Sequence, residues 1–196
     1  MKKKHYLYLA ICLVIICLVG FWTYKNVIIK SNYTTGQIID SINGIYVYYN
    51  GDIDNVSSRN ITADGYNLGQ KYQCVEFVKR YYYEYFNHRM PDSYGNAKDF
   101  FDPKLNDGQN NAKRNLVQYT NPSKTKPQKG DILIFDGTIF NKHGHIAIIS
   151  KVTDAEIEIV QQNSGTKTRQ KISFKKTDNK YKLNNNRVLG WLRKEK

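Results

Sequence analysis

One cysteine in the middle of the chain has the residue type and the position of a nucleophile. Cys74 begins the run 74–86, in which apolar residues recur at helical spacing, and no cysteine follows it. A thiol in the first turn of a helix lies near the positive end of the helix dipole and near free backbone N–H groups, which favour the thiolate. The alternative interpretation is a small core residue, because free cysteine is among the most buried residue types.

A cysteine nucleophile needs a base, which is usually histidine. His5 lies at the N-terminus, and His88 is 14 positions beyond Cys74, which is about 21 Å along a continuous helix. His143 and His145 remain, and we favour His145 because it begins a predicted strand, where backbone pairing would fix the ring. A structural histidine is the alternative. The His-Gly-His pair lacks an accompanying acidic or cysteine cluster, so we predict no metal site.

Polar amides at the end of the next predicted strand supply a third member. If residues 153–155 form a three-residue turn, His145 lies opposite Asn163, and Gln161 lies diagonal to it on the same face. Such an amide could accept the Nδ1–H of His145 and hold the ring in the useful tautomer. Beside the thiol, a backbone N–H and the Gln73 amide could form an oxyanion hole. The predicted catalytic residues are Cys74, His145 and Gln161, supported by Gln73 and Asn163.

The elements that must position these residues follow an α+β pattern with a single core. The helix at Cys74 and a short helix near 95–101 come first, and antiparallel strands follow. A short strand is predicted at 44–49 and a loop at 52–71. The segment 92–127 is weakly periodic, with the short helix near 95–101 and a predicted loop at 121–127. The later strands are predicted at 131–135, 144–152, 156–163, 167–176 and 187–193.

The N-terminal segment has the length and composition of a transmembrane helix. Residues 6–24 carry no charge and are long enough to cross a hydrocarbon core of about 30 Å. The lysines at 2–4 predict a cytoplasmic N-terminus, with the rest of the chain exported. No small-x-small cleavage site follows, so we predict an uncleaved anchor in the cell membrane; a cleaved signal peptide is the alternative. The predicted organisation is a basic flank at 1–5, an anchor at 6–24, a linker at 25–43 and one domain at 44–196.

The net charge and the positions of the cysteines indicate which partners and which compartment that domain has. The chain carries 30 Lys and Arg against 17 Asp and Glu, a net charge of +13, which favours anionic partners such as cell-wall polymers and lipid headgroups. The tyrosines after Cys74 recur at core spacing, so we expect no nucleic-acid partner. Cys12 and Cys17 lie in the predicted span. Cys74 is then alone in the exported part, where a lone cysteine indicates a reactive thiol or intermolecular pairing.

Four motifs follow one another along the chain: YQCVEFVKRYY (72–82), GDILIF (130–135), GHIAII (144–149) and QQN (161–163). In this order they resemble the CHAP family, the cysteine, histidine-dependent amidohydrolases/peptidases. The QCVEF form and the closing LGWL at 189–192 resemble especially the amidase domain of bacterial glutathionylspermidine synthetase/amidase. The resemblance implies a papain-like fold of the NlpC/P60 group, with Cys74 as nucleophile and His145 as base. The family usually has Glu-Gln-Asn at 161–163, so Gln161 is a departure: an amide orients imidazole but does not stabilise imidazolium as a carboxylate does.

We therefore expect a membrane-anchored, outward-facing cysteine amidase or endopeptidase that needs no cofactor. The expected substrates are peptidoglycan stem or bridge peptides, on the grounds of predicted export, basic charge and the habit of the family. An amidase that acts on a small glutathionylspermidine-like amide is the alternative enzyme. A catalytically weak module that binds the cell wall is the alternative from another class of protein.

Overall fold

The computed structural model describes residues 2–23 and 32–195, and the chain divides into two units, Met1–Tyr33 and Thr34–Lys196. The first unit contains helix α1 (Lys2–Thr23). Its segment Lys4–Thr23 has a mean hydropathy of 2.3 and is long and apolar enough to cross a membrane. A signal sequence near an N-terminus also meets this criterion of length and hydropathy, so the membrane anchor stays a prediction.

The second unit is an α+β fold in which one α-helix packs on an antiparallel sheet. Its described residues contain helix α2 (Cys74–Phe86) and a 3₁₀ helix (Ala97–Phe100). The strands are β1 (Ile38–Ile42), β2 (Ile45–Tyr48), β3 (Arg59–Ile61), β4 (Asn67–Gln70), β5 (Gln109–Asn111), β6 (Leu116–Thr120), β7 (Ile132–Phe135), β8 (His145–Val152), β9 (Glu156–Val160), β10 (Arg169–Thr177), β11 (Lys180–Leu183) and β12 (Val188–Arg193).

Eight of these strands form one sheet in the order β11-β10-β9-β8-β7-β12-β6-β5, with every neighbouring pair antiparallel. Strands β1 and β2 form a separate hairpin, as do β3 and β4. A backbone bridge joins Ser123, which follows β6, to Tyr181 in the edge strand β11. This bridge connects the two halves of the sheet, so the sheet curls around one of its faces.

Both faces of the central strands are buried, because side chains alternate between faces at each step along a strand. On one face, α2 packs onto Ile132, Ile134, Ile146 and Ile148 through Phe77, Val78, Tyr81 and Tyr82. On the other face, a second cluster contains Leu133, Phe135, Ala147, Ile149 and Trp191. Strand β8, which begins at His145, is therefore packed on both faces. This explains why its sequence is continuously apolar rather than alternating.

The apolar strands are confirmed, with ends that shift by one to three residues from the predicted positions. The loop prediction is wrong where β3 and β4 lie within 52–71, and β5 and β6 lie in the weakly periodic segment 92–127, where the sequence predicts no strand. Strands β3, β4 and β5 have few apolar residues, so backbone pairing rather than hydrophobic pattern creates them. Strand β1 lies inside the predicted linker 25–43; residues 24–31 lie outside the described residues, and the domain limits stay a prediction.

Candidate active site

Helix α2 begins at Cys74, as the sequence predicts. Gln73 precedes it in an extended conformation (φ −81°, ψ 159°) and forms no side-chain cap, so the first N–H groups of the helix remain available. The Cys74 side chain is 8% exposed. Burial raises the pKa of its thiol to about 11, against the backbone N–H groups of Ile146, Val75 and Cys74 itself, which lower it. The expected thiolate is therefore wrong for the free protein at neutral pH, because burial outweighs the helix terminus.

Cys74 and Ile146 belong to the same buried cluster, so the helix start packs near the start of strand β8. The residue before Ile146 is His145, the first residue of β8 and partly buried. Gly144 leads into the strand with φ +75°, and a Cβ there would lie 2.5 Å from the Phe135 carbonyl oxygen. Only glycine fits this close approach of β8 to β7. Burial lowers the pKa of His145 to about 4, although the hydrogen bond to Gln161 raises it, so the imidazole is neutral at pH 7.

Gln161 holds the imidazole through one ring nitrogen. Its Oε1 lies 3.0 Å from Nε2 of His145, and its Nε2 donates to the Lys167 carbonyl oxygen (2.9 Å) and the Ser164 hydroxyl (3.3 Å). Because the Lys167 carbonyl requires a donor, the Gln161 oxygen must face the ring. Nε2 of His145 therefore carries the hydrogen, and Nδ1 is left as the proton acceptor. The sequence interpretation placed Nδ1 against the amide; the structure corrects this to Nε2.

The register that places Gln161 near His145 has a different origin from the predicted one. Residues 153–155 alone do not set it, because Val152 pairs with Ile157 at the turn. A bulge between Ile149 and Lys151 then shifts the pairing by one, so that Ile148 pairs with Val160. The register shift at the bulge offsets the register set by the turn, so the pairing at the site is the predicted one. Extended to the start of β8, this register sets His145 across from Asn163 and diagonal to Gln161.

Asn163 contacts the segment before the nucleophile. Its Nδ2 donates to Oε1 of Gln73 (2.6 Å) and to the Ile53 carbonyl oxygen (3.0 Å), and its Oδ1 accepts from Nδ2 of Asn50 (2.9 Å). Gln73 in turn donates from Nε2 to the Asn55 carbonyl oxygen at 2.7 Å. The Gln73 amide has a second hydrogen, so its oxyanion role stays a prediction.

Gln162 is a functional candidate that sequence reasoning missed. It is 1% exposed, and its Nε2 donates to the carbonyl oxygen of Gln73 (3.0 Å) and to Oε2 of Glu76 (2.9 Å). Its Oε1 accepts from the backbone N–H of Tyr48 at 2.7 Å. The other Glu76 oxygen accepts from Nε of Arg80 at 2.6 Å. The i,i+4 spacing of this acid–base pair on α2 was the one sequence signal of a network beneath the nucleophile.

A cleft of about 630 Å³ contains Cys74, His145, Gln73 and Asn163. Its walls come from residues 53–59, 93–97 and 140–144. Exposed apolar side chains stand on these walls at Ile53, Val56, Tyr94 and Phe140.

The other two histidines of the second unit differ in whether they lie at the cleft. His143 also lines the cleft. His88 is buried elsewhere, with Nε2 2.9 Å from the Arg114 carbonyl oxygen, which fits its predicted exclusion from the site. Among the described residues no group of three or more His, Cys, Asp or Glu side chains is placed to hold a metal.

A thiol at a helix start, a strand-borne imidazole in the same cleft and an amide that orients the ring are the parts of a cysteine amidase or peptidase site. The CHAP domain family model matches residues 64–163, a range that includes Cys74, His145 and Gln161–Asn163. The chain belongs to the CHAP domain family.

Curated relatives include amidases. The chain is 32% identical over 112 residues to bifunctional glutathionylspermidine synthetase/amidase of Escherichia coli, covering 56% of this chain and 18% of that protein. It is 28% identical over 100 residues to trypanothione synthetase of Crithidia fasciculata, covering 51% and 15%. The chain thus spans less than a fifth of these relatives. The family and the amidase named in the first of these relatives support an amidohydrolase activity.

Two solved structures of Ly7917 are also similar. The crystal structure of Ly7917 matches with a TM-score of 0.37 and 14% identity, over 63% of this chain and 53% of that one. The structure of Ly7917 with the hydrolysing product of MDP matches with a TM-score of 0.38 and 16% identity, over 63% and 54%.

Proposed function

We propose that this protein is a membrane-anchored, outward-facing cysteine amidase or endopeptidase that hydrolyses peptide amides of the cell wall. One observation carries the proposal: Cys74 at the start of α2 and His145 at the start of β8 line the same cleft. His145 is neutral, and its Nε2 is engaged by Gln161. A neutral imidazole that keeps Nδ1 as a proton acceptor is a general base for a thiol in the same cleft.

The chemistry follows from this pairing. As the Cys74 sulfur attacks the carbonyl carbon of the amide, its proton passes to Nδ1 of His145. The N–H groups at the start of α2 and the Gln73 amide would stabilise the oxyanion. His145 then gives the proton to the leaving amine, and the C–N bond breaks to leave a thioester. Water, deprotonated by His145, hydrolyses the thioester and restores the thiol.

The choice of substrate rests on the surroundings and on the cleft. A net charge of +13 favours anionic polymers, and the predicted anchor would hold the domain at the cell surface. Phe140 is 94% exposed on the cleft wall, which suits contact with a large substrate better than enclosure of a small one. The 32% identity to a glutathionylspermidine synthetase/amidase favours the alternative, a small glutathionylspermidine-like amide.

The deciding experiment compares the detergent-solubilised full-length chain with its Cys74→Ala variant on purified peptidoglycan. New amino groups should appear with the wild type and be absent with Cys74→Ala. The matched controls are Cys12→Ala and Cys17→Ala, which remove a thiol from α1 and should release amines at the wild-type rate. If the wild type releases no amines while both proteins bind walls equally, the protein is a binding module. Release from glutathionylspermidine alone would favour the small-amide alternative.

The outward orientation has its own test. Cys74 is buried, so Ile139, which is 92% exposed, is the better labelling position. In the Cys74→Ala background, Ile139→Cys should react with a membrane-impermeant maleimide in intact cells, after permeabilisation of any outer membrane. Labelling only after lysis would place the domain in the cytoplasm and contradict the proposal.

A further inference from the structure

We propose that Arg59 and Tyr94 form a carboxylate-binding subsite in the catalytic cleft, so that the protein prefers peptides with a free carboxylate close to the scissile amide. The inference rests on the proposed function and deepens it by defining the substrate class. Both side chains line the cleft that contains Cys74 and His145.

The guanidinium of Arg59 has unused hydrogen-bonding capacity. It is exposed on strand β3, and its Nη1 lies 3.4 Å from Oδ1 of Asn67, which is a long hydrogen bond. Its Cζ lies 5.5 Å from the centroid of the Tyr94 ring. An arginine placed over an aromatic ring keeps its N–H edges free, and these edges match the two oxygens of a carboxylate.

The other arginines have the partners that Arg59 lacks. Arg80, Arg89, Arg169 and Arg193 form ion pairs with carboxylates. Arg114 and Arg187 donate to backbone carbonyl oxygens. Within the described part of the chain, Arg59 forms neither kind of contact, and it is the one arginine on the cleft wall. An arginine at the cleft whose described contacts are one long hydrogen bond to Asn67 and the Tyr94 ring is available to a ligand.

The ring under Arg59 stands on a firmly held loop. Nη2 of Arg114 donates to the Tyr94 carbonyl oxygen at 3.0 Å, and Nζ of Lys79 donates to the Ser93 carbonyl oxygen at 2.8 Å. Both of these cations are 1% exposed. The Tyr94 ring is therefore attached to a backbone fixed from below, and it can position a guanidinium without reorganising when a ligand binds.

The charges around the subsite also favour an anion. The pKa of Lys79 is lowered to about 8, mainly by burial and then by the charges of Arg114 and Arg59, while Asp92 raises it. Three cations thus lie close together. Asp54 is the one acid among the cleft-lining residues, and it forms no ion pair with Arg59 among the described contacts. An incoming carboxylate would supply the negative charge that these cations lack at the cleft.

The test uses two synthetic stem peptides, L-Ala–γ-D-Glu–L-Lys–D-Ala with its carboxyl groups free and the same peptide with them amidated. Binding is measured with the full-length Cys74→Ala protein, and cleavage with the wild type. We expect the free-carboxylate peptide to bind about tenfold more tightly, as one charge-assisted contact provides. Arg59→Gln should abolish this preference, because it should weaken the binding of the free-carboxylate peptide and leave the binding of the amidated peptide unchanged. Lys180→Gln, an equal charge change on edge strand β11 outside the cleft, should retain it.

Persistence of the preference in Arg59→Gln would overturn the subsite. So would an equal loss in Lys180→Gln, which would assign the preference to the net charge of the whole protein. If the wild type cleaves both peptides equally well, the subsite is wrong and the proposed function stands. If the wild type cleaves neither peptide and releases no amines from peptidoglycan, the proposed function fails and the subsite with it.

Discussion

Cys74 and His145 face the same cleft, but the start of helix α2 and the start of strand β8 are held by different means. On the nucleophile side, Gln162 and Asn163 bond to the backbone and side chain of Gln73, and Gln162 also bonds to Glu76. On the base side, one hydrogen bond joins Gln161 to the imidazole. Three consecutive residues thus serve two elements: one holds the base, and two hold the helix that carries the nucleophile.

This difference indicates which changes should alter chemistry and which should alter stability. The base side depends on a single amide, whose effect passes through the tautomer of His145. The nucleophile side depends on a buried network, in which loss of one member leaves other polar groups without partners. We therefore expect variants on the base side to lower turnover in a stable protein, and variants on the nucleophile side to lower stability first.

The largest effect should come from the base itself. His145→Gln should lower turnover by about 10²–10⁴-fold, the usual contribution of a general acid–base residue, with an unchanged melting temperature. His143→Gln is the matched control, because it lies two residues away on the same cleft wall, and it should lower turnover by no more than about threefold. Steady-state kinetics on peptidoglycan fragments checks both. Equal losses in the two variants would contradict the assignment of the base.

The second prediction concerns the thiol. Because burial holds the pKa of Cys74 at about 11, its thiolate fraction should rise about tenfold per pH unit up to that pKa. The rate of Cys74 alkylation by iodoacetamide should rise accordingly from pH 7 to pH 10. The measurement is the loss of activity with time in a Cys12→Ala, Cys17→Ala background. A rate that is already maximal at pH 7 would mean that a thiolate–imidazolium pair exists in the free protein.

The third prediction tests the amide that holds the ring. Gln161→Ala should lower turnover about ten- to a hundredfold, because the imidazole loses its fixed tautomer. Gln161→Glu should retain or raise activity and should speed alkylation of Cys74 at pH 7, since a carboxylate raises the pKa of His145 and stabilises the imidazolium. The same change should extend activity at the alkaline side. If Gln161→Ala keeps wild-type turnover while Asn163→Ala loses most of it, the orienting residue is Asn163. If both variants keep wild-type turnover, the site is a dyad of Cys74 and His145.

The smallest effect on turnover should come from the network under the helix. Gln162→Leu should destabilise the protein by about 2–4 kcal/mol, because Glu76, the Gln73 carbonyl and the Tyr48 N–H each lose a partner. Turnover of the folded fraction should fall less than in Gln161→Ala. Gln118→Leu is the matched control, since Gln118 is equally buried but bonds to Asp102 and Asn111 instead. Urea denaturation and kinetics together separate the two effects, and a loss of turnover without a loss of stability would contradict the comparison.

Much of the fold follows from local pattern. The strands from β7 to β10 and β12 have apolar runs or alternating apolar residues, and α2 has its apolar stripe, so period and propensity identify them. Strands β3 to β5 are short and mostly polar, and they exist because a neighbouring strand offers backbone partners. The core spacing predicted for the tyrosines of α2 fails at Tyr85, which is 48% exposed; the packed face runs through Phe77 and Tyr81.

The residue types of the candidate site were readable from the chain, and their arrangement was not. One cysteine at a helix start and one histidine at a strand start are enough to identify the candidate nucleophile and base from their chemistry. The ring nitrogen that faces Gln161 depends on the Lys167 carbonyl, which no spacing rule places there. The register at the site depends on a bulge that offsets the turn. Gln162 acts across a separation of 86 residues, on Glu76, which local pattern does not reveal.

The sequence by itself identified the apolar strands and helix α2 and supplied the candidate nucleophile and base, because residue type, period and helix-start chemistry are local properties. Tertiary structure alone decided the protonation of the pair, since burial from several elements raises the pKa of Cys74 and lowers that of His145. It also decided that Arg59 stands without an internal carboxylate, because the partners of a side chain are set by whatever folds against it.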